Sequence, residues 1–177
     1  MKPIILTQAA LGNSAWAPLN QVQAEFGVGL GASVTSGAVL TYKVQHTFDD
    51  PGPDRRHLVS VSRAATVATV VDTDHRLSVG DSVTITGSGS TTLDGVFDVA
   101  TVVDANTYTY TVANSGPTTD QTNTYAVSLR VYTHAVIVGQ TGRIDGNYAF
   151  PVQAVRLVVT AFTSGKVDLT ILQGMGR

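Results

Sequence analysis

From Ala38 to Phe48 the side chains alternate without a break. Ala38, Leu40, Tyr42, Val44, His46 and Phe48 fall on one face; Val39, Thr41, Lys43, Gln45 and Thr47 fall on the other. A period of two belongs to a half-buried extended chain, not to a helix. The pattern returns near the C-terminus, in residues 149–162. There Val155, Leu157, Val159 and Ala161 oppose Arg156, Val158, Thr160 and Phe162. Thr163-Ser164-Gly165 then supplies a tight turn, and Val167, Leu169 and Ile171 point inward on the returning strand, so the two runs predict a hairpin. Ser36-Gly37 supplies the turn before the first run, and Phe48-Asp49-Asp50-Pro51-Gly52-Pro53-Asp54 stops it, because proline cannot donate to a ladder.

Composition agrees with strands. Charged residues are 14%, against about 25% in an average domain. Thr, Val, Ser and Gly are abundant while Leu, Lys and Glu are scarce, which favours strand over helix. A length of 177 residues suits one domain, or one domain with a small insert, and is enough to bury a core without cross-links. The absence of cysteine excludes disulfides and thiolate-held metals. A net charge of −2 argues against nucleic acid as a partner, since non-specific binding rests on phosphate neutralisation. No apolar run approaches the ~20 residues of a membrane span, so no membrane partner is expected. The start, MKPIILTQAALGNSAWAP, has the lysine and short apolar stretch of a leader, but Pro3 and Gln8 interrupt it; residues 3–9 are read as a first strand. So little charge points to a surface that is covered by assembly.

The texture changes between residues 63 and 115, where Thr, Val, Asp and Ser dominate. Short strands are predicted at 65–71, 81–87, 95–103 and 106–113, separated by turn signals such as Val79-Gly80-Asp81 and Asp94-Gly95. A polar linker follows at 115–124, then a strand-like run from Tyr125 to Val138 and a loop at 139–147. Residues 18–24 are read as one short helical turn. The organisation expected is a discontinuous β-sandwich of residues 1–59 and 122–177, with a small β module at 60–121 inserted in a loop, where insertion costs little closure entropy.

Two stretches resemble known proteins. The run GNYAFPVQAVRLVVTAFTSGKVDLTILQG, the early tryptophan followed by Pro-Leu (Trp16 to Leu19) and the strand ending in Asp-Asp-Pro (Tyr42 to Pro51) resemble small virion structural proteins of tailed phages. The resemblance covers about 100 residues at both ends of the chain. It implies a jelly-roll-like sandwich located on the virion, decorating or cementing the capsid, with itself (as a homotrimer) and the major capsid protein or other virion proteins as partners. The middle resembles a β module widespread in phage structural proteins, through His75 to Ile85, Asp94 to Val102 and the Thr-x-Tyr-Thr-Tyr strand. Arg76 stands where that module usually has glycine. The module is a spacer or exposed knob, and the resemblance gives it no ligand.

Chemistry-bearing residues are sparse. His46, His57, His75 and His134 have no metal-ligand spacing, and His46 is read as a core or interface histidine. Gly27, Gly29 and Gly31 precede a strand rather than a helix, so they suit close packing or a bulge, not a phosphate. Asp49, Asp50 and Asp54, and Asp72 with Asp74, are read as solvated turn residues. No carboxylate pair or G-x-S-x-G context is present, so neither an enzyme nor a cofactor or metal is expected. Trp16 is either a core plug or an interface anchor. Arg156 is either exposed or paired across a subunit boundary, and Phe162 joins these two as interface candidates. A second reading is a tail, collar or fibre component binding host glycan through Tyr108 and Tyr110 on the module. A third is a secreted carbohydrate-binding module.

Overall fold

A computed structural model describes residues 3–21, 27–116 and 121–174. The short helical turn expected at 18–24 lies partly outside them. In chain order the strands begin with β1 (Ile4–Gln8), β2 (Gly12–Asn13), β3 (Ala17–Pro18), β4 (Val28–Val34) and β5 (Val39–Thr47). Next come β6 (His57–Ala64), β7 (Val67–Val71), β8 (Ser82–Thr86), β9 (Gly95–Asp98), β10 (Thr101–Asp104), β11 (Thr107–Thr111) and β12 (Gln121–Leu129). The chain closes with β13 (Val131–Thr133), β14 (Ile144–Tyr148), β15 (Ala154–Ser164) and β16 (Val167–Gln173). The protein is all-β, with three antiparallel sheets and one 3-10 turn at Pro53–Arg55 among the described residues.

The strands form two compact units, residues 1–50 with 132–177 and residues 51–131. The boundaries expected at 59/60 and 121/122 fall inside β6 and β12. Those strands pair with each other (Ala126↔His57, Tyr125↔Leu58), so both belong to the inserted unit.

The first unit is a sandwich of sheets β1-β16-β4-β14 and β13-β5-β15-β2, with β3 also paired to β15. Taking β2 and β3 as one interrupted strand, the eight strands of this unit run 1-8-3-6 and 5-4-7-2, the strand order of a jelly roll. Leu40, Tyr42 and Val44 of β5 face Leu30, Ala32, Leu169 and Ile171 across the core, as the alternation requires. Each such side chain contributes about 1.5–3 kcal/mol of burial. The Tyr42 hydroxyl is satisfied by donating to the Gly142 carbonyl at 2.6 Å.

Two local departures matter. The loop expected at 139–147 contains β14, which pairs with β4 from Ile144↔Ala32 to Tyr148↔Val28. The strand-like run from Tyr125 to Val138 is split into β12 and β13, one in each unit.

The second unit is one sheet in the order β10-β11-β7-β6-β12-β8-β9. Its two outermost strands are consecutive in the chain, joined only by Val99 and Ala100. Val99 N–H bonds the Asp81 carbonyl at 2.8 Å on one side, and Ala100 N–H bonds Thr109 at 2.8 Å on the other. The run at 95–104 is therefore a single bent strand that closes the ladder into a small barrel, leaving no sheet edge. Val61, Val70, Ile85, Leu93, Tyr108 and Tyr110 fill it. In the turn at 74–76, Arg76 keeps the left-handed conformation (φ 52°) that glycine adopts without strain.

Candidate functional site

Tyr108 and Tyr110 are both 0% exposed. The alternation of β11 is as read, but the faces are reversed: the threonines point out and the tyrosines fill the barrel. Tyr110 stacks on Phe97 at 4.3 Å and donates its hydroxyl to the Leu93 carbonyl at 2.9 Å. Neither ring is available to a ligand in the folded barrel, which corrects the expectation of a glycan contact there. Asp72 is likewise not a solvated turn residue; it is 5% exposed and held by His57 Nε2 at 2.9 Å.

Phe162 is not on the outer face. A bulge lies between Val159↔Tyr42 and Ala161↔Thr41, so the alternation slips and Phe162 comes opposite Leu40, packed on the core. Arg156 stays on the outer face of β15 but is 1% exposed, buried by its own chain. Its Nε donates to Gln45 Oε1 at 2.9 Å, and the Trp16 ring lies over the guanidinium at 4.7 Å. The segment carrying Trp16 is strapped down by Ser14, which donates N–H to the Leu157 carbonyl at 2.8 Å and accepts Leu157 N–H on its hydroxyl at 3.0 Å. Trp16 and Arg156 thus form one intrachain stack. Arg156→Ala is expected to cost about 2–4 kcal/mol, through the lost cation–π contact and a buried amide left unpaired, without changing the sedimentation coefficient. Thermal melts and sedimentation velocity check both halves of that statement.

Gly29 and Gly31 make neither a bulge nor a close approach. Both sit on the outer side of β4 in regular register, and a Cβ at Gly31 would meet nothing within 4 Å.

A different cluster stands at one end of the sandwich. Three aromatic pairs spaced i, i+2 end or follow strands: His46 and Phe48 at β5, Tyr132 and His134 at β13, Tyr148 and Phe150 at β14. The tertiary fold brings all six rings together. His46 stacks on Tyr132 at 5.7 Å and meets Phe48, Tyr148 and Phe150 edge-on at 5.4, 4.9 and 6.0 Å. Phe48, Tyr132 and Phe150 remain about half exposed (48%, 46% and 47%), whereas His46 is 7% exposed. A cavity of about 390 Å³ opens here, walled by His46, His134, Tyr148, Phe150 and the residues 145–147 of β14. Gly146 gives the clearance, since a Cβ there would sit 2.9 Å from His134 Cε1.

Polar groups in the cavity are ordered. His134 Nδ1 accepts the backbone N–H of Val136 and of Ile137, both at 3.1 Å, so its proton is on Nε2, which faces the Asn147 carbonyl at 3.3 Å. The Tyr148 hydroxyl lies 3.1 Å from His46 Nδ1, and burial raises its pKa, keeping it a hydroxyl. Burial, with a smaller part from His134, pulls the His46 pKa down to about 4.

That shift has a sign. The folded value lies below the ordinary 6.5, so the unfolded chain binds the proton more tightly. The contribution of His46 to stability is therefore complete above pH 6.5 and declines as pH falls toward 4, at up to about 1.4 kcal/mol per pH unit. Melts of the protein and of His46→Gln between neutral and acid pH are expected to show a shallower loss in the variant. Equal slopes would remove His46 from the account.

Among the described residues no helix is long and apolar enough to cross a membrane, and no three His, Cys, Asp or Glu residues group as metal ligands. No family model matches the chain, and no curated protein matches it. Among solved structures, a chain titled "Phage phi92 endosialidase" is 28% identical over 45% of this chain and 14% of its own length, with a TM-score of 0.36. This chain spans a small part of that protein, and a likeness of that size bears on neither fold nor activity.

Proposed function

We propose that the protein is a non-enzymatic structural component of a tailed-phage particle, a capsid decoration protein that associates with copies of itself, as a homotrimer, and with the major capsid protein. The observation that carries this reading is the outer face of the four-stranded sheet. Its edge strand β1, Ile4–Gln8, has no charged residue. Ile5 on that strand and Leu172 on β16 are 60% and 51% exposed. Beside them β4 turns Gly29, Gly31 and Ser33 outward, so the middle of the face is nearly free of side chains. The chain's own packing does not ask for glycine at either position, since the nearest atom to a Cβ at Gly29 is the Leu172 carbonyl oxygen at 3.8 Å.

Charge is held at one end, where Thr7 donates to Asp168 at 2.6 Å and Lys166 pairs with the same carboxylate at 2.9 Å. A flat apolar face next to an open ladder edge fits association with another protein surface. The resemblance of both chain ends to virion proteins supports the choice of particle. The work is mechanical: copies bridging neighbouring capsomers add buried area at each joint, and repetition makes the gain multivalent.

The test has two parts. Sedimentation equilibrium is expected to find an oligomer that becomes a monomer in the Ile5→Lys/Leu172→Lys double variant. Mass spectrometry of purified particles is expected to find the chain in stoichiometric amounts; its absence from them would falsify the reading.

A further inference from the structure

The aromatic cavity lies apart from the glycine-flattened face and has no part in the assembly just described. From its rings and its charge we infer that it is a binding site for a neutral saccharide.

The shape and chemistry of the walls point to a sugar. Its volume, about 390 Å³, is within the range of small-ligand sites. Phe48, Tyr132 and Phe150 present partly exposed rings whose centroids are 5.3 Å apart for Phe48 and Tyr132 and 6.1 Å apart for Phe48 and Phe150. Flat aromatic faces at that spacing stack on the C–H faces of a pyranose. An aliphatic or aromatic partner would be served by the rings alone. The cavity adds polar groups that such a partner leaves unsatisfied.

The second, independent observation is His46. Its ring is more than nine-tenths buried and lines the cavity, and only Nδ1 has a partner, the Tyr148 hydroxyl at 3.1 Å; Nε2 has none among the described residues. With the hydroxyl donating to Nδ1, Nε2 carries the proton and offers a neutral donor to a sugar oxygen. A buried donor left without an acceptor costs about 1–3 kcal/mol, and a ligand hydroxyl supplies that acceptor.

Charge selects within the class. The one ionic residue on the wall is Asp145, and no lysine or arginine lines the cavity. A carboxylated or sulfated saccharide would meet a like charge with no cation to hold it. A neutral hexose or N-acetylhexosamine meets no such penalty, and a carboxylate is a good acceptor for its hydroxyls.

Saturation-transfer NMR on the full chain tests the site with methyl α-D-galactoside, methyl α-D-glucoside, methyl N-acetyl-β-D-glucosaminide and N-acetylneuraminic acid. The expected result is transfer to at least one of the three neutral glycosides and little to the acidic sugar. Tyr132→Ala and Phe150→Ala are each expected to weaken the binding by about tenfold, and their melts to stay near that of the parent because both rings are half exposed. Ile5→Lys/Leu172→Lys is expected to bind as the parent does, which separates this site from the assembly face. Transfer to no neutral glycoside, stronger transfer to the acidic sugar, or binding untouched in Tyr132→Ala and Phe150→Ala overturns the inference. So does conversion of an oligomer to a monomer by those two substitutions without any sugar binding, which would make the rings a contact between copies.

Discussion

Tyr110→Ala is expected to destabilise the barrel by about 3–5 kcal/mol, enough to unfold it at ordinary temperature in a unit of this size. Tyr110 is fully buried, stacks on Phe97 and closes a hydrogen bond to the Leu93 carbonyl. Removing the ring leaves a cavity in a core otherwise made of Val, Ala, Leu and Ile side chains, and strands a buried carbonyl. Tyr110→Phe isolates the second effect and is expected to cost about 1 kcal/mol. The measurement is amide exchange. Protection across β6–β12 should be lost in Tyr110→Ala, while the hairpin of β15 and β16, whose core is separate, should keep its protection. An alanine variant as stable as the parent would mean that the tyrosines are not the barrel's core.

Gly165→Ala is the second large effect. Gly165 turns the β15–β16 hairpin with φ of 91°, where an L side chain is strained. Its added Cβ would sit 2.3 Å from Ala38 Cβ and 2.8 Å from Ala38 Cα. The contact is partly with backbone, in the turn that Ala38 closes by donating N–H to Thr35 at 3.0 Å, and that turn is tied to the hairpin by Thr35 N–H to the Lys166 carbonyl at 3.1 Å. Two turns must therefore separate. Conformational strain and overpacking together suggest a loss of about 3 kcal/mol or more. Chemical denaturation followed by Trp16 fluorescence reads it. Ala38→Gly in the same chain should recover only the part due to the clash, leaving the part due to φ.

What the sequence disclosed, and what it withheld, follows from where each signal is stored. β5 and β15 could be read because burial on one sheet face is written directly into alternate positions. β14 could not: Asp145, Gly146 and Asn147 are turn formers, and only pairing with β4 makes them extended. Periodicity also divides a strand into two faces without naming the inner one. In β11 the deciding fact was the shortage of large aliphatics, which leaves the tyrosines to fill the barrel. The bulge that turned Phe162 inward is a single extra residue and leaves no compositional trace. The aromatic cavity did leave a trace, three pairs of rings two residues apart, but they lie in segments far apart in the chain. His46 and Tyr148, for instance, are separated by 102 positions. Their meeting is a property of the jelly-roll strand order rather than of any one segment.

The pairing of β6 with β12 has a consequence for how such a chain is built. Because Ala126 lies opposite His57, the barrel's way in and way out are neighbours. To the host strands β5 and β13, some eighty intervening residues present the end-to-end span of a short connection, and the entropy of joining those strands is set by that span rather than by the residue count. A self-closed cartridge with adjoining ends is portable: it can be carried between loops of unrelated scaffolds, or dropped from one, without re-registering the sheets on either side.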